Sequence, residues 1–241
     1  MQHIERNWNG IPTIFESAIE KDCIFENTLV GFGSLIIDDD FINEMNLIAN
    51  ELSTDRNLIS LLTKIYNKVC DYFNSNEFNE KSRFETYDSN VITDEDGMTI
   101  GTKISSLKGK NISKCSEKSL ATYIILKKIF SSGCMKRKPV LVLSNMKTES
   151  SNFEPHAFVM LNNEQDSKLG HILFDVENLT LIEDKNGKQN TMVGLYLLTN
   201  EEYDNFINGL DCTPTSLYET IGDYHEVSDK RTYGNIEPIV K

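Results

Sequence analysis

The sequence predicts an α+β protein in which a helix carrying a cysteine packs on an antiparallel sheet, with a helical extension ahead of it. Two observations carry this. Residues 116–130 form an amphipathic to nearly all-apolar helical stretch, closed by Ser131, Ser132 and Gly133. Four apolar runs follow, at 139–144, 156–162, 171–176 and 192–198, and Asn186-Gly187 marks a tight turn between the last two. One helix followed by consecutive strands with short turns is an α+β arrangement.

Taken in order, the first forty residues mix short apolar runs with Gly31, Gly33 and the acidic Asp38, Asp39 and Asp40. Ile42, Met45, Ile48 and Ala49 then recur at helical spacing. After the punctuation at 53–55, so do Leu58, Leu61, Leu62, Ile65, Val69 and Tyr72. Residues 41–73 therefore read as a helical hairpin whose apolar stripe is core. Residues 74–114 are polar and read as a long surface loop or as the boundary between a helical lobe and a catalytic core. Within them Asp94, Glu95, Asp96 and Gly97 signal a turn, without the spaced ligands and closing Glu of a calcium loop. From residue 200 the chain reads as one or two short helices and a polar end. The domain expectation is a mainly helical lobe with a polar loop over 1–110, and an α+β core with a short helical tail over 111–241.

Composition narrows the function classes. Lys and Arg number 24 against 37 Asp and Glu, a formal charge of -13, and such a surface repels phosphate backbones and anionic membranes. No nucleic-acid partner is expected. Lys127-Lys128 and Lys136-Arg137-Lys138 read as the solvated end of a helix and the loop after it. No apolar run approaches the roughly 18 residues of a membrane span. The start, Met1 to Trp8, lacks the basic-then-apolar layout of a secretory signal. The expected location is the cytoplasm, or outside the cell through a specialised secretion route. The five cysteines (Cys23, Cys70, Cys115, Cys134 and Cys212) are odd in number and lack CxxC spacing. Free thiols in a reducing compartment are the simplest account, with one thiol open to a catalytic role and the rest small buried hydrophobes.

Three residues stand where catalytic groups are usually delivered, each at the end of a regular element. Cys115 begins the apolar helix, where backbone N–H groups and the macrodipole favour a thiolate and can face an oxyanion. Lys114 and the polar approach from Asn111 suggest that this helix start is solvent-accessible. His156 opens an apolar strand and can take the thiol proton from the strand's edge. His171 also opens an apolar strand and is its competitor. Asp175 stands where the run 171–174 gives out, and can accept the second imidazole N–H and hold the ring. Asn178 can do that orienting instead. The bland readings are a buried helix-start cysteine, a satisfied strand histidine and an acid in a strand-end turn.

Cys-Ser-Glu-Lys-Ser-Leu-Ala from residue 115, His-Ala-Phe-Val from 156 and Phe-Asp-Val-Glu-Asn from 174 resemble the transglutaminase-like branch of the papain-like thiol enzymes. The resemblance covers about residues 110–200. It implies a papain-like core, a Cys115-His156-Asp175 triad and attack on a peptide or carboxamide carbonyl, with no metal or organic cofactor. Members of that branch include peptidases, transglutaminases and bacterial effectors that deamidate glutamine in host proteins, so a protein substrate is implied. This chain departs from the pattern in two ways. Ser113 and Lys114 precede the cysteine where the family often has Gly or an aromatic residue. No glutamine lies a few residues upstream, which leaves the oxyanion side chain unassigned and Asn111 a positional candidate only. A papain-like scaffold that binds without turning over is the alternative.

Overall fold

The computed structural model describes residues 2–6, 11–25, 34–75, 80–93, 95, 99–163, 170–222 and 224–234. Gly31, Gly33 and, of the acidic turn, Asp94, Asp96 and Gly97 lie outside the described residues. In chain order the elements are β1 (His3–Ile4), β2 (Thr13–Phe15), β3 (Cys23–Phe25), β4 (Ser34–Ile37), α1 (Asp39–Leu52), α2 (Leu58–Phe73), α3 (Glu80–Ser89), β5 (Val91–Thr93) and β6 (Thr99–Lys103). A 3-10 turn (Ile104–Leu107) leads on to α4 (Cys115–Ser131), β7 (Lys138–Thr148), β8 (Glu154–Asn162), β9 (His171–Asp184) and β10 (Gln189–Leu198). The chain ends through α5 (Asn200–Ile207), β11 (Thr215–Ser216), α6 (Leu217–Ile221), β12 (Tyr224–Glu226) and β13 (Arg231–Gly234). It is a mixed α+β protein.

Contacts divide the chain into two units. One takes the chain up to Arg6 and then Ser17–Cys134; the other takes the segment ending at Glu16 and everything from Met135. The boundary therefore falls after α4 rather than at the end of the polar tract near residue 110. The reason is that α4 packs against both α1 and α2 of the first unit.

In the first unit a five-stranded sheet runs β1-β3-β4-β6-β5, with β1/β3 and β4/β6 parallel. The predicted hairpin is α1 and α2. Asp38 caps α1 by accepting from Phe41 N at 3.2 Å, and Asn57 caps α2 by accepting from Ser60 N at 2.9 Å. Asn74 ends α2 in the left-handed conformation. The buried stripe is Phe41, Met45, Ala49 and Leu52 on α1 and Leu61, Leu62, Ile65, Val69, Tyr72 and Phe73 on α2. Helix α4 is buried on nearly every face from Cys115 to Leu126, as its apolar sequence requires. It stops in a Schellman motif: Gly133, at φ 75, donates to Phe130 O at 2.9 Å, and Cys134 N donates to Ile129 O at 3.3 Å.

The tract 74–114 is not a loop. Among its described residues it contains α3, β5, β6 and the 3-10 turn. Helix α3 has no apolar stripe, so hydrophobic periodicity could not reveal it; it is held through buried Arg83 and Tyr87.

The second unit is built on a larger antiparallel sheet of order β11-β10-β9-β8-β7-β13, with β12 added to β9 and β2 added to β7. The four predicted apolar runs are its centre, β7 to β10. One face carries a cluster of Val140, Val142, Phe158, Met160, Leu173, Tyr196, Leu198, Phe206, Cys212 and Tyr233. Helix α5 adds Phe206 to that face. A capping box starts the helix: Glu202 N donates to Thr199 Oγ1 at 3.1 Å, and Thr199 N donates to Glu202 Oε2 at 2.7 Å. The region after residue 200 has the two expected short helices, but it also supplies three strands. Among the described residues no helix is long and apolar enough to cross a membrane.

Candidate active-site residues

Cys115 is the first residue of α4, and only 7% of it is exposed. Ile112, Ser113, Ser116, Glu117 and Lys118 are buried with it, so the helix start is not the solvent-accessible end that its polar sequence suggests. Its buried polar groups pair with one another. Glu117, fully buried, is ion-paired through Oε1 with Arg83 Nη2 at 2.7 Å, accepts from the Tyr87 hydroxyl through Oε1 and accepts from Lys114 N at 3.0 Å through Oε2. Arg83 in turn donates to Ile112 O and lies over the Tyr87 ring, 4.8 Å from its centroid. One buried carboxylate thus ties α3, the approach to α4 and the first turn of α4 together. Burial works against the Arg83 guanidinium, but Glu117 and Tyr87 outweigh it and hold Arg83 above its ordinary range. Arg6, beyond β1, is also buried; burial pulls it down to about 10, with Cys115 acting in the opposite sense. Arg83 too is in electrostatic reach of Cys115.

Asn111, the positional candidate for an oxyanion group, occupies a turn ahead of α4 at φ 55, and its N–H donates to Phe73 O at 2.9 Å. Cys23 and Cys212 are structural thiols: burial pushes them up to about 11 and about 12.

The second unit brings His156 and Asp175 together. His156 is the third residue of β8, and that strand lies between β7 and β9, an interior strand as its apolar sequence on both faces indicates. Val159 pairs with Phe174, and the register carried one step on sets Phe158 opposite Asp175. His156 and Asp175 are then diagonal neighbours on one face, within reach of an imidazole. His156 Nε2 lies 2.9 Å from Asp175 Oδ2, with the two side chains 5% and 0% exposed. The pair continues the face that carries the apolar cluster, and the His156 ring lies near those of Phe158 and Tyr233.

Asp175 is not where the strand ends. Strand β9 continues to Asp184, and the ladder with β10 slips between Gly194↔Asp175 and Met192↔Thr180. Residues 176–179 bulge there against Val193. The bulge has a local cause: Asp175 Oδ1 accepts from Glu177 N and Asn178 N, both at 3.1 Å, an Asx-type turn set within a strand. Gly194 makes room for it. A Cβ at that position would stand 2.4 Å from Asn178 O and 2.9 Å from Asp175 O. Gly194→Ala should therefore distort the bulge and cost roughly 1–3 kcal/mol of stability, read as a lower urea midpoint. An unchanged midpoint would show that the bulge adjusts freely.

The other carboxylate oxygen, Oδ2, accepts from His156, from Asn178 Nδ2 at 3.1 Å and from the Tyr233 hydroxyl at 2.9 Å. Burial alone would raise Asp175; His156, Asn178 and the field of Arg231 reverse this and hold the carboxyl below the usual carboxylate range. Asn178 thus supports Asp175 rather than replacing it. Sequence reasoning missed Tyr233, Arg231 and Gly194, and nothing in the polar tail marked the first two. His171, the competitor, stacks on Tyr203 with centroids 3.8 Å apart, and its Nδ1 lies 3.2 Å from Asn162 Oδ1. Burial, with Arg137 adding to it, lowers its pKa, as for a structural histidine.

Among the described residues no group of three or more His, Cys, Asp or Glu side chains could hold a metal ion. The class that fold and side chains define is an α+β chain with a buried His-Asp pair and a cysteine opening an apolar helix. No family model, no curated protein and no solved structure matches this chain.

Proposed function

We propose that this protein is a thiol hydrolase in which Cys115 attacks an amide carbonyl, His156 is the general base and Asp175 holds the imidazole. The observation that carries this reading is the buried 2.9 Å contact between His156 Nε2 and Asp175 Oδ2. A carboxylate kept ionised there selects the tautomer with its proton on Nε2, which puts the basic lone pair on Nδ1. In the reaction His156 takes the proton of the Cys115 thiol as sulfur bonds to the carbonyl carbon. Backbone N–H groups at the start of α4 face the oxyanion. The imidazolium then returns the proton to the leaving amine or ammonia, and the C–N bond breaks to leave a thioester. Water attacks it with His156 again as base, releasing a carboxylic acid and the thiol.

The quoted motifs support a papain-like, transglutaminase-like core, and with it a protein substrate cut at a peptide bond or deamidated at a glutamine side chain. An effector role on a host protein follows from the same resemblance. The burial of Cys115 and of the turn around it favours a second reading, a scaffold of this kind that binds protein without turnover.

Iodoacetamide labelling against pH, read by peptide mass spectrometry, separates the two. Cys115 should label fast at about pH 6 in the wild type and lose that reactivity in His156→Ala, as an activated thiol does. Cys23 and Cys212 should stay silent because burial holds their thiols protonated. Cys115 labelling that rises only near the ordinary thiol value of about 8.5 and ignores the substitution sinks the hydrolase.

A further inference from the structure

We propose that Tyr233 is a positioning residue of the His156–Asp175 pair, one that fixes the carboxylate and sets how strongly it draws on the imidazole. The inference rests on the reading of His156 as the base, and goes beyond it to the C-terminal strand.

The hydroxyl of Tyr233 donates to Asp175 Oδ2 at 2.9 Å, the oxygen that also takes His156 Nε2. With Asn178 Nδ2 at 3.1 Å, three donors share the negative charge of this oxygen, so each weakens the hold on the others. Tyr233 is fully buried, and its phenol is held well above its ordinary value by burial first and Asp175 second. It therefore remains a donor throughout the range in which a histidine titrates.

Its position is fixed by backbone rather than by chance packing. Strand β13 pairs with β7, setting Tyr233 opposite Met146. Tyr233 and Cys212 exchange both backbone hydrogen bonds at 2.8 Å, and Ser144 Oγ donates to Gly234 O at 2.9 Å. Two residues earlier on the same face, Arg231 donates to the Tyr196 hydroxyl and to Leu179 O, the latter at 2.7 Å. The charged and titratable groups around the pair include Asp175 on β9, Arg231 and Tyr233 on β13, and Tyr196 on β10, whose ring centroid lies 6.1 Å from that of Tyr233. Removing the Tyr233 hydroxyl leaves Arg231 in place and returns charge on Oδ2 to His156. The imidazolium gains from this, so the His156 midpoint must rise.

The test is the titration of the His156 ring by NMR in the full chain, with its four histidines assigned by substitution. Tyr233→Phe should raise the midpoint by roughly half a pH unit or more. Phe206→Leu, which disturbs the same apolar cluster without removing a donor, should leave it unmoved. A smaller rise or a fall in Tyr233→Phe, or an equal rise in Phe206→Leu, overturns the proposal. Should Tyr233→Phe fail to fold, 3-fluorotyrosine at position 233, a stronger donor of nearly the same shape, should lower the midpoint; no movement overturns it equally. The readout does not depend on turnover. A shifted His156 in a protein whose Cys115 proves inert would uphold the role of Tyr233 while defeating the hydrolase.

Discussion

Glu117→Ala should be among the most damaging single substitutions in the first unit, lowering its stability by about 3–5 kcal/mol. The carboxylate is fully buried, ion-paired with Arg83 and hydrogen-bonded by Tyr87 and the backbone of Lys114. Removing it leaves the Arg83 guanidinium, 2% exposed, with its positive charge uncompensated by the carboxylate it was buried against. An exposed ion pair such as Lys81–Glu85 carries none of this, because both partners return to water when it breaks. The cost belongs to the stranded charge rather than to the attraction itself, and that makes the claim testable. The double change Arg83→Met with Glu117→Leu should recover much of the loss, since it removes both charges and fills the space with apolar groups. Urea unfolding at an unchanged slope gives both numbers. A Glu117→Ala loss under about 1 kcal/mol would mean that water reaches Arg83 and the cluster is not a sealed one. The single variant should also loosen the first turn of α4, which begins at Cys115.

The parts of the fold that were legible are those whose burial is apolar. Strands β7 to β10 show as four runs of aliphatic residues, α4 as an unbroken apolar helix, and α1 with α2 as two stripes at helical spacing. What escaped is held by polar burial. Helix α3 is anchored by Arg83 and Tyr87, and a lone arginine in a polar tract reads as solvent-facing until its partner is known. The start of α4 read as exposed because Lys114 and the polar residues from Asn111 precede it, and only the pairing of Glu117 with Arg83 and Tyr87 shows why it is buried. At Asp175 the sequence turns polar through Glu177 and Asn178, which looks like the end of a strand. It is a bulge, because the Asp175 side chain takes over hydrogen bonding that the ladder gives up there. Tyr233 lies 58 residues beyond Asp175 in the chain, and only the pairing of β13 with β7 brings it back. The pairing of His156 with Asp175 followed from the order of strands, since residues near one end of adjacent antiparallel strands meet. The residues that fix Asp175 came from a segment with no pattern of its own.

Asp175→Asn should reduce stability by about 3–5 kcal/mol near neutral pH and should change how stability depends on acid. In the folded chain the carboxyl lies below the usual carboxylate range, whereas in the unfolded chain it titrates near 3.9. A group depressed on folding adds stability above its unfolded value and loses it as pH falls toward its folded value. The gap between wild type and Asp175→Asn should therefore be constant from about pH 7 to about pH 5 as far as this carboxyl is concerned, and should close progressively below about pH 4. The amide cannot accept on both arms as the carboxylate does. It leaves either Glu177 N and Asn178 N or the trio of His156, Asn178 Nδ2 and Tyr233 short of an acceptor, so the bulge and the pair are disturbed together. Asp175→Ala should be worse, because five hydrogen bonds then end in a void. The fast labelling of Cys115 expected at about pH 6 should fall in both variants, since an imidazole without its acceptor is neither held in one tautomer nor stabilised when protonated. Unfolding curves from about pH 3 to about pH 7 measure the first effect and labelling the second. A wild-type-to-variant gap that stays constant down to about pH 3 would show that Asp175 is not the carboxylate whose ionisation holds this sheet face together.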